Sequence, residues 1–330
     1  MERLDVIAGM FDRSGLGLEI GPSYNPIVPK ASGANIETLD YADRATLVEK
    51  YRAIPGLDLT KIEAVDYVSD GRPISEIITN RRCYDYIIAS HVVEHLPNVI
   101  GFVNDCSLLL KDSGVLLFVV PDRRYCFDYF RPATTSGALL QAFRERRTRH
   151  PVGLMFDHVA YAARRGSAIA WSDQDQDQDR DPVTFVYTLQ EAASLFSSYD
   201  SDVLYADFHA WQFTPSSFRL IMRDLADMAL LDLRERAFHD TVGCEFYITL
   251  SRTAPPCPLD RLTLAGMAMD EALPPQMCSR IVGPLERAGD GREYQIVKES
   301  PSEKERTAIK RLKKLVKRTF KPAGHASKSN

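Results

Sequence analysis

The sequence predicts a doubly wound α/β sheet, and three observations carry that prediction. Short apolar strands alternate with amphipathic helices through the first 120 residues. The strand at 115–120, VLLFVV, is apolar on both faces, as a central parallel strand covered by helices on either side should be. The first strand also runs straight into a Gly-Pro turn in LGLEIGPSYNPIVPK, residues 16–30, the layout of a strand emptying into a ligand loop.

That strand, 16–20, carries one acidic residue, Glu19, just before the turn, and one glycine, Gly21, follows where a dinucleotide fingerprint places three. Residues 34–40 (ANIETLD) read as a second strand ending on Asp40, and 43–54 as a helix capped by Asp43. A third short strand is expected at 64–69, a helical stretch at 73–79, and a fourth strand, YDYIIA, at 84–89. A helix from about 98 to 110, closed by KDSG, leads to the fifth strand at 115–120. Beyond Pro121 the alternation breaks into an insertion, about 121–200, with a charged helical stretch at 139–149 and an acidic run, SDQDQDQDRD, at 172–181. That run is too polar to pack and reads as a solvated loop. Thr214 then caps a helix with Pro215 at its first position, and 234–238 and 244–250 read as two closing strands joined by HDTVG as a hairpin. The sum is a seven-stranded sheet with a terminal antiparallel pair.

Composition limits the function classes. The chain has 330 residues, 45% hydrophobic and 26% charged, enough for one large domain. Its net charge is −4, but residues 303–321 carry nine Lys/Arg against two Glu, a local +7, which leaves the remainder near −11. An acidic body argues against nucleic acid as a partner. Ile309, Leu312, Val316 and Phe320 line one stripe of the tail, with basic residues from Lys304 to Lys321 around it; this suits peripheral contact with an anionic membrane face or an acidic protein. The six cysteines, Cys83, Cys106, Cys126, Cys244, Cys257 and Cys278, form no C-x-x-C pair, and no signal-peptide pattern or long apolar run is present, so a cytoplasmic location is expected.

The ordered set LEIGP, TLD, YIIASHVVEHLPN and LLLKDSGVLLFVVPD resembles the class I S-adenosylmethionine-dependent methyltransferases over roughly residues 14–252. The turn LEIGPSYNP, the stretch VPDRRYCFDYFRP, FDH at 156–158 and DFHAWQFTPSSF at 207–218 look like a bacterial subgroup that often accompanies glycosyltransferases. The resemblance implies a Rossmann-like methyltransferase domain at 1–252, followed by a Pro-containing extension, 253–302, and the basic tail, 303–330. It implies S-adenosyl-L-methionine as cofactor and, through the subgroup, O-methylation of a sugar or glycan-type acceptor. A methyl donor carries no pyrophosphate, so a single close backbone approach at Gly21, braced by Pro22, suffices where a dinucleotide needs a row of N–H groups. Glu19 is placed to accept from the donor's ammonium group, Asp40 from its ribose hydroxyls and Asp70 from its adenine amino group, with Ser90 and His91 as the floor. A hydroxyl acceptor must lose a proton, which points to His158, His209 and His95 as catalytic candidates. Arg123, Arg124, Tyr125 and Tyr129, straight off the fifth strand, are placed to hold substrate. Asp157, His158 and His209 do not make a recognised ligand spacing, and no metal is expected. Two alternatives stand beside this reading: a catalytically silent methyltransferase-like partner in a glycan-assembly complex, and a nicotinamide-dependent oxidoreductase, disfavoured by the missing glycines.

Overall fold

The computed structural model describes residues 3–54, 56–172, 181–198 and 207–272. In chain order these form α1 (Arg3–Met10), β1 (Gly17–Ile20), β2 (Ile36–Asp40), α2 (Arg44–Tyr51), β3 (Tyr67–Val68), α3 (Ile74–Ile77), β4 (Tyr84–Ser90), α4 (Val99–Leu109) and β5 (Leu110–Pro121). The inserted region contributes α5 (Ser136–Arg144), α6 (Val152–Ala160), a small hairpin of β6 (Ala163–Arg165) and β7 (Val183–Phe185), and α7 (Leu189–Ser198). The chain then returns through α8 (Pro215–Asp227), β8 (Arg234–Val242), β9 (Glu245–Ser251) and α9 (Arg261–Asp270).

The central sheet has seven strands in the order β3-β2-β1-β4-β5-β9-β8, with β9 antiparallel to both of its neighbours and the other neighbouring pairs parallel. This is the Rossmann-like architecture expected. Its two faces bury separate clusters: Leu18, Ile87, Leu116, Phe118 and Ile248 pack on one side with α4 and α8, and Ile88, Leu117, Val119 and Tyr247 on the other with α1. Gly17 is required by close approach, because a Cβ there would lie 2.2 Å from the ring of Tyr86 on the adjacent strand. The chain leaves β1 toward β2 on one side and reaches β4 on the other. The carboxyl ends of β1 and β4 therefore border the switch point at which an open α/β sheet binds its ligand.

Local chemistry fixes most boundaries where they were expected. Asp43 caps α2 through the Thr46 N–H, Asn98 caps α4 through the Gly101 N–H, and Thr214 and Ser217 form a capping box with Pro215 in the first turn of α8. Four expectations change. The helix α4 ends before KDSG as expected, but the fifth strand does not wait for Val115: Leu110 is wholly buried and already pairs with Tyr84, so β5 starts there and Asp112 and Ser113 sit in an irregular excursion before Val115. HDTVG is not the hairpin connection, since β8 runs through it to Val242 and the chain reverses at Gly243, where φ is +69°, and Cys244. The expected third strand shrinks to two residues. The expected loose extension begins with a helix, α9, capped by Asp260 and packed on α8, whose N-terminal Ser216 donates both its N–H and its hydroxyl to Glu271. The acidic run, apart from Ser172 and Asp181, and all of residues 273–330, including the basic tail, lie outside the described residues. No described helix is long and apolar enough to cross a membrane.

Candidate active site

At the end of β1 the chain turns at Gly21, whose φ of +67° is natural for glycine and whose N–H bonds the Leu39 carbonyl at 2.8 Å. Pro22, Pro26 and Pro29 then carry an irregular loop with few free amides. Three of the amides that remain are taken by two carboxylates. Glu19 accepts from the Ile27 N–H at 2.7 Å and the Val28 N–H at 3.1 Å, while Asp40, at the end of β2, accepts from the Ser23 N–H at 2.9 Å and the Tyr41 N–H at 2.8 Å. Both acids are buried, and burial raises the pKa of each, that of Glu19 to about 7. Glu19, expected to meet the donor's ammonium group, is thus turned onto its own loop with both oxygens engaged. Each oxygen of Asp40 likewise takes one amide, so the oxygens of both carboxylates keep a second lone pair. Asp70, just beyond β3, is exposed and pairs with Arg72 at 2.8 Å across the Ser-Asp-Gly turn.

Ser90 closes β4 and its hydroxyl accepts from Arg3 at 3.0 Å. His91 follows at φ +52°, a conformation that non-glycine residues adopt only when fixed by their surroundings. Its N–H stays bonded to the Val119 carbonyl, and its Nε2 lies 2.6 Å from Glu245 at the head of β9. A 3-10 turn, Val93–His95, next drives Glu94 inward until it is wholly buried. The Glu94 carbonyl accepts from the Ala210 and Trp211 N–H groups, and the Trp211 indole donates to the Leu96 carbonyl at 2.6 Å. These bonds stitch the segment before α8 against the β4 turn and bring His209 to it.

The result is an imidazole–carboxylate cluster. The rings of His95 and His209 meet edge to face at 4.7 Å, and His158, on α6, stands 6.2 Å from His209 with Phe127 against both. Asp128 holds His209 Nδ1 at 2.5 Å and is itself held by Arg131 at 3.0 Å. Arg131 also donates to the His209 carbonyl. Burial pushes the Asp128 carboxyl up, but His209 and Arg131 outweigh it and keep its pKa below the ordinary value. His95 Nδ1 lies 2.9 Å from Asp207. Burial works against its proton too, yet Asp207 and Glu94 prevail and raise its pKa. His158 has no such carboxylate in contact, and burial lowers its pKa to about 4, which leaves it neutral near pH 7.

The structure therefore gathers all three candidate histidines in one place, as the sequence could only suggest, and adds Glu94 and Asp128, which sequence reasoning missed. The available signal for Glu94 was its place beside His95 at a strand end; Asp128 was hidden among the aromatics of CFDYFRP. The expected substrate loop is corrected in part. Arg123 is buried and donates to the carbonyls of Tyr129 and Ala272, Arg124 grips the wholly buried Asp122 with a two-pronged bond, and Tyr129 packs between Phe130 and Trp171. The two guanidiniums are committed to internal partners. Tyr125 is half-buried beside that same packed cluster.

A family model described as a methyltransferase domain matches residues 3–214. A ubiquinone biosynthesis O-methyltransferase from Nitrosomonas europaea is 24% identical over 122 residues, 36% of this chain and 48% of that one, so the chain spans about half the length of this curated relative. Among solved structures, a SAM-dependent methyltransferase from Methanosarcina mazei aligns with 12% identity over 76% of this chain and 98% of its own, at a TM-score of 0.36. The CcbJ methyltransferase from Streptomyces caelestis aligns with 10% identity over 75% and 92%, at 0.39.

The buried Glu19 gives the loop a pH signature. Its pKa is about 7 in the fold against an ordinary 4.5, a difference worth about 3 kcal/mol. Between those values the unfolded chain has released the proton that the folded chain keeps, so this group's contribution falls as pH rises through the window and is flat above it. In urea unfolding, the stability advantage of wild type over Glu19→Gln should be largest near about pH 5 and shrink toward about pH 8. A constant difference across that range would mean the carboxylate is ionised throughout.

Proposed function

The chain belongs to the methyltransferase domain family; on that premise we propose that it is an S-adenosylmethionine-dependent enzyme that methylates a hydroxyl oxygen of a sugar or glycan-type acceptor. The observation that carries the hydroxyl is the cluster at the strand ends. Methyl transfer from a sulfonium is an in-line displacement, and an alcohol oxygen reacts only if its proton has somewhere to go. An imidazole oriented by a buried carboxylate, as His209 is by Asp128, supplies that destination. The O-methyl chemistry in the name of the Nitrosomonas europaea relative agrees with this choice of atom. The glycan class rests on the resemblance of the turn, the FDH stretch and the segment before α8 to the glycosyltransferase-associated subgroup. Arg123, Arg124 and Tyr129 no longer support it, because their polar groups or rings face inward.

The residues present fit the donor. Gly21 keeps the turn clear, Asp40 retains lone pairs for ribose hydroxyls, and Ser90 and His91 border the same edge of the sheet. The donor supplies an electrophilic methyl group when bound. The protein's part is to hold it beside the cluster and to exclude water. Asp40→Asn should weaken S-adenosylmethionine on the order of 30-fold, about 2 kcal/mol, in calorimetry. Undiminished affinity would place the ribose elsewhere.

The acceptor is tested by incubating the purified chain with labelled donor and, in parallel, nucleotide-sugars, glycan fractions and small phenols. Label on a sugar oxygen, lost in His209→Ala, is the expected result. Label on phenols alone would remove the glycan class, and label on nitrogen or carbon would remove the O-methyl reading.

The basic tail completes the proposal as a peripheral contact for a cytoplasmic enzyme. Each Lys or Arg near an anionic surface is worth about 1 kcal/mol, so several together would hold the chain there at low salt. Full-length protein should cosediment with anionic vesicles and release in high salt, and a chain truncated after Pro301 should not. Equal, negligible sedimentation of both would exclude a lipid role.

A further inference from the structure

Glu94 poses a problem that methyl transfer alone does not answer. It is wholly buried, and among the described residues neither of its oxygens has a hydrogen-bond partner. An isolated carboxylate in that position is costly unless a positive charge compensates it. Around it stand three imidazoles: His91, whose Nδ1 is 3.6 Å from Glu94 Oε1 and whose Nε2 is already engaged by Glu245, His209, with Nε2 3.8 Å from the same oxygen, and His95, with Nε2 3.9 Å from it. One ligand atom from each of Glu94, His95 and His209 lies within 4.8 Å of the others.

We propose that Glu94, His95 and His209 form a binding site for a divalent transition-metal ion of the zinc class. Zinc–nitrogen bonds of about 2.0–2.1 Å in a tetrahedron set ligand atoms roughly 3.3 Å apart, so each imidazole needs to approach Glu94 by about half an ångström. The far nitrogens of both imidazoles already face carboxylates: His209 Nδ1 is 2.5 Å from Asp128 and His95 Nδ1 is 2.9 Å from Asp207. For His209, whose Nδ1 is hydrogen-bonded to Asp128, that is the arrangement by which a metal-binding histidine is fixed in its tautomer with its other nitrogen directed at the ion; His95 Nδ1 approaches Asp207 without a hydrogen bond. Two imidazoles and one carboxylate suit zinc, cobalt or iron and not magnesium, which prefers oxygen ligands and water. The three ligands come from the turn after β4 and from the segment before α8, 115 residues apart, so no short motif announces them.

Three protein ligands leave a fourth position for an outside oxygen. An acceptor hydroxyl bound there would be acidified by the ion and would release its proton to solvent, His95 and His209 then serving as ligands, and the role of base given above to His209 would belong to the metal-free chain. That role rests on the methyl-transfer reading; the ion site itself does not.

The test is a titration of the full-length, chelator-treated chain with Co2+, followed by visible absorption, and with Zn2+ by calorimetry. One ion per chain with the visible bands of four-coordinate cobalt is the expected result. Glu94→Gln and His209→Ala should each weaken binding at least 100-fold, and Asp128→Asn, acting through the orientation of His209, by roughly 10- to 100-fold. Circular dichroism establishes that each variant is folded, and the wild-type titration decides even where one is not. No saturable binding by wild type would overturn the site and leave protonated histidines as the compensation for Glu94. A thiolate-to-cobalt charge-transfer band, or binding undiminished in folded Glu94→Gln, would overturn it as well. Labelled-methyl transfer in parallel separates the two readings. Transfer by a chain that binds no Co2+ sinks the metal and keeps the methyltransferase reaction; one Co2+ per chain without transfer to any hydroxyl keeps the site and sinks the O-methyl reading.

Discussion

Two carboxylates shut away from water at the ends of adjacent strands govern the ligand edge of this sheet. Glu19 and Asp40 sit on β1 and β2, and between them they take up the Ser23, Ile27 and Val28 amides of a loop whose prolines leave it few others. The loop forms no α-helix start, and its prolines at 22, 26 and 29 remove N–H donors that a first helical turn would aim at a ligand. It is instead held as an irregular strap, fixed at both ends by charge-assisted bonds. The edge of the sheet proposed to receive donor and acceptor owes its shape to that pinning, and the raised pKa of both acids is its energetic cost.

The opposite wall is built from a different kind of restraint. The single carbonyl of Glu94 receives two amides from the segment before α8, and Arg131 ties the His209 carbonyl to Asp128. Backbone bonds, not side-chain packing alone, set how far His209 stands from the β4 turn. The arginines just after β5, which look like surface groups in the linear chain, serve the same wall from inside by anchoring the loop that carries Asp128.

Much of the sheet was legible in the sequence because its signals are local. Alternation of apolar positions, the Asp43, Asn98 and Thr214 caps and the Gly21 turn each act within a few residues of one another. What was not legible depends on distant chain. Leu110 reads as the end of a helix until Tyr84 is seen beside it, and HDTV reads as a turn until β9 is laid against it. Arg123 and Arg124 were assigned outward on the habit of their residue type, whereas Asp122 and the Tyr129 carbonyl, both within six positions, already offered them partners. Glu94 and His95 form an ordinary acidic–imidazole neighbour pair in one dimension. Their meaning appears only when the chain returns to them at His209.

The Arg3–Glu245 ion pair, at 2.5 Å, closes the domain across 242 positions, and Arg3 reaches Ser90 from the same fork while Glu245 braces His91. The floor beneath the β4 turn is thus completed by the first helix and the last strand of the sheet. A nascent chain emerging from the ribosome can lay down the five parallel strands in order, but it carries an open floor until the last strand is made. A partial product cut short before β9 would have the strap without the brace.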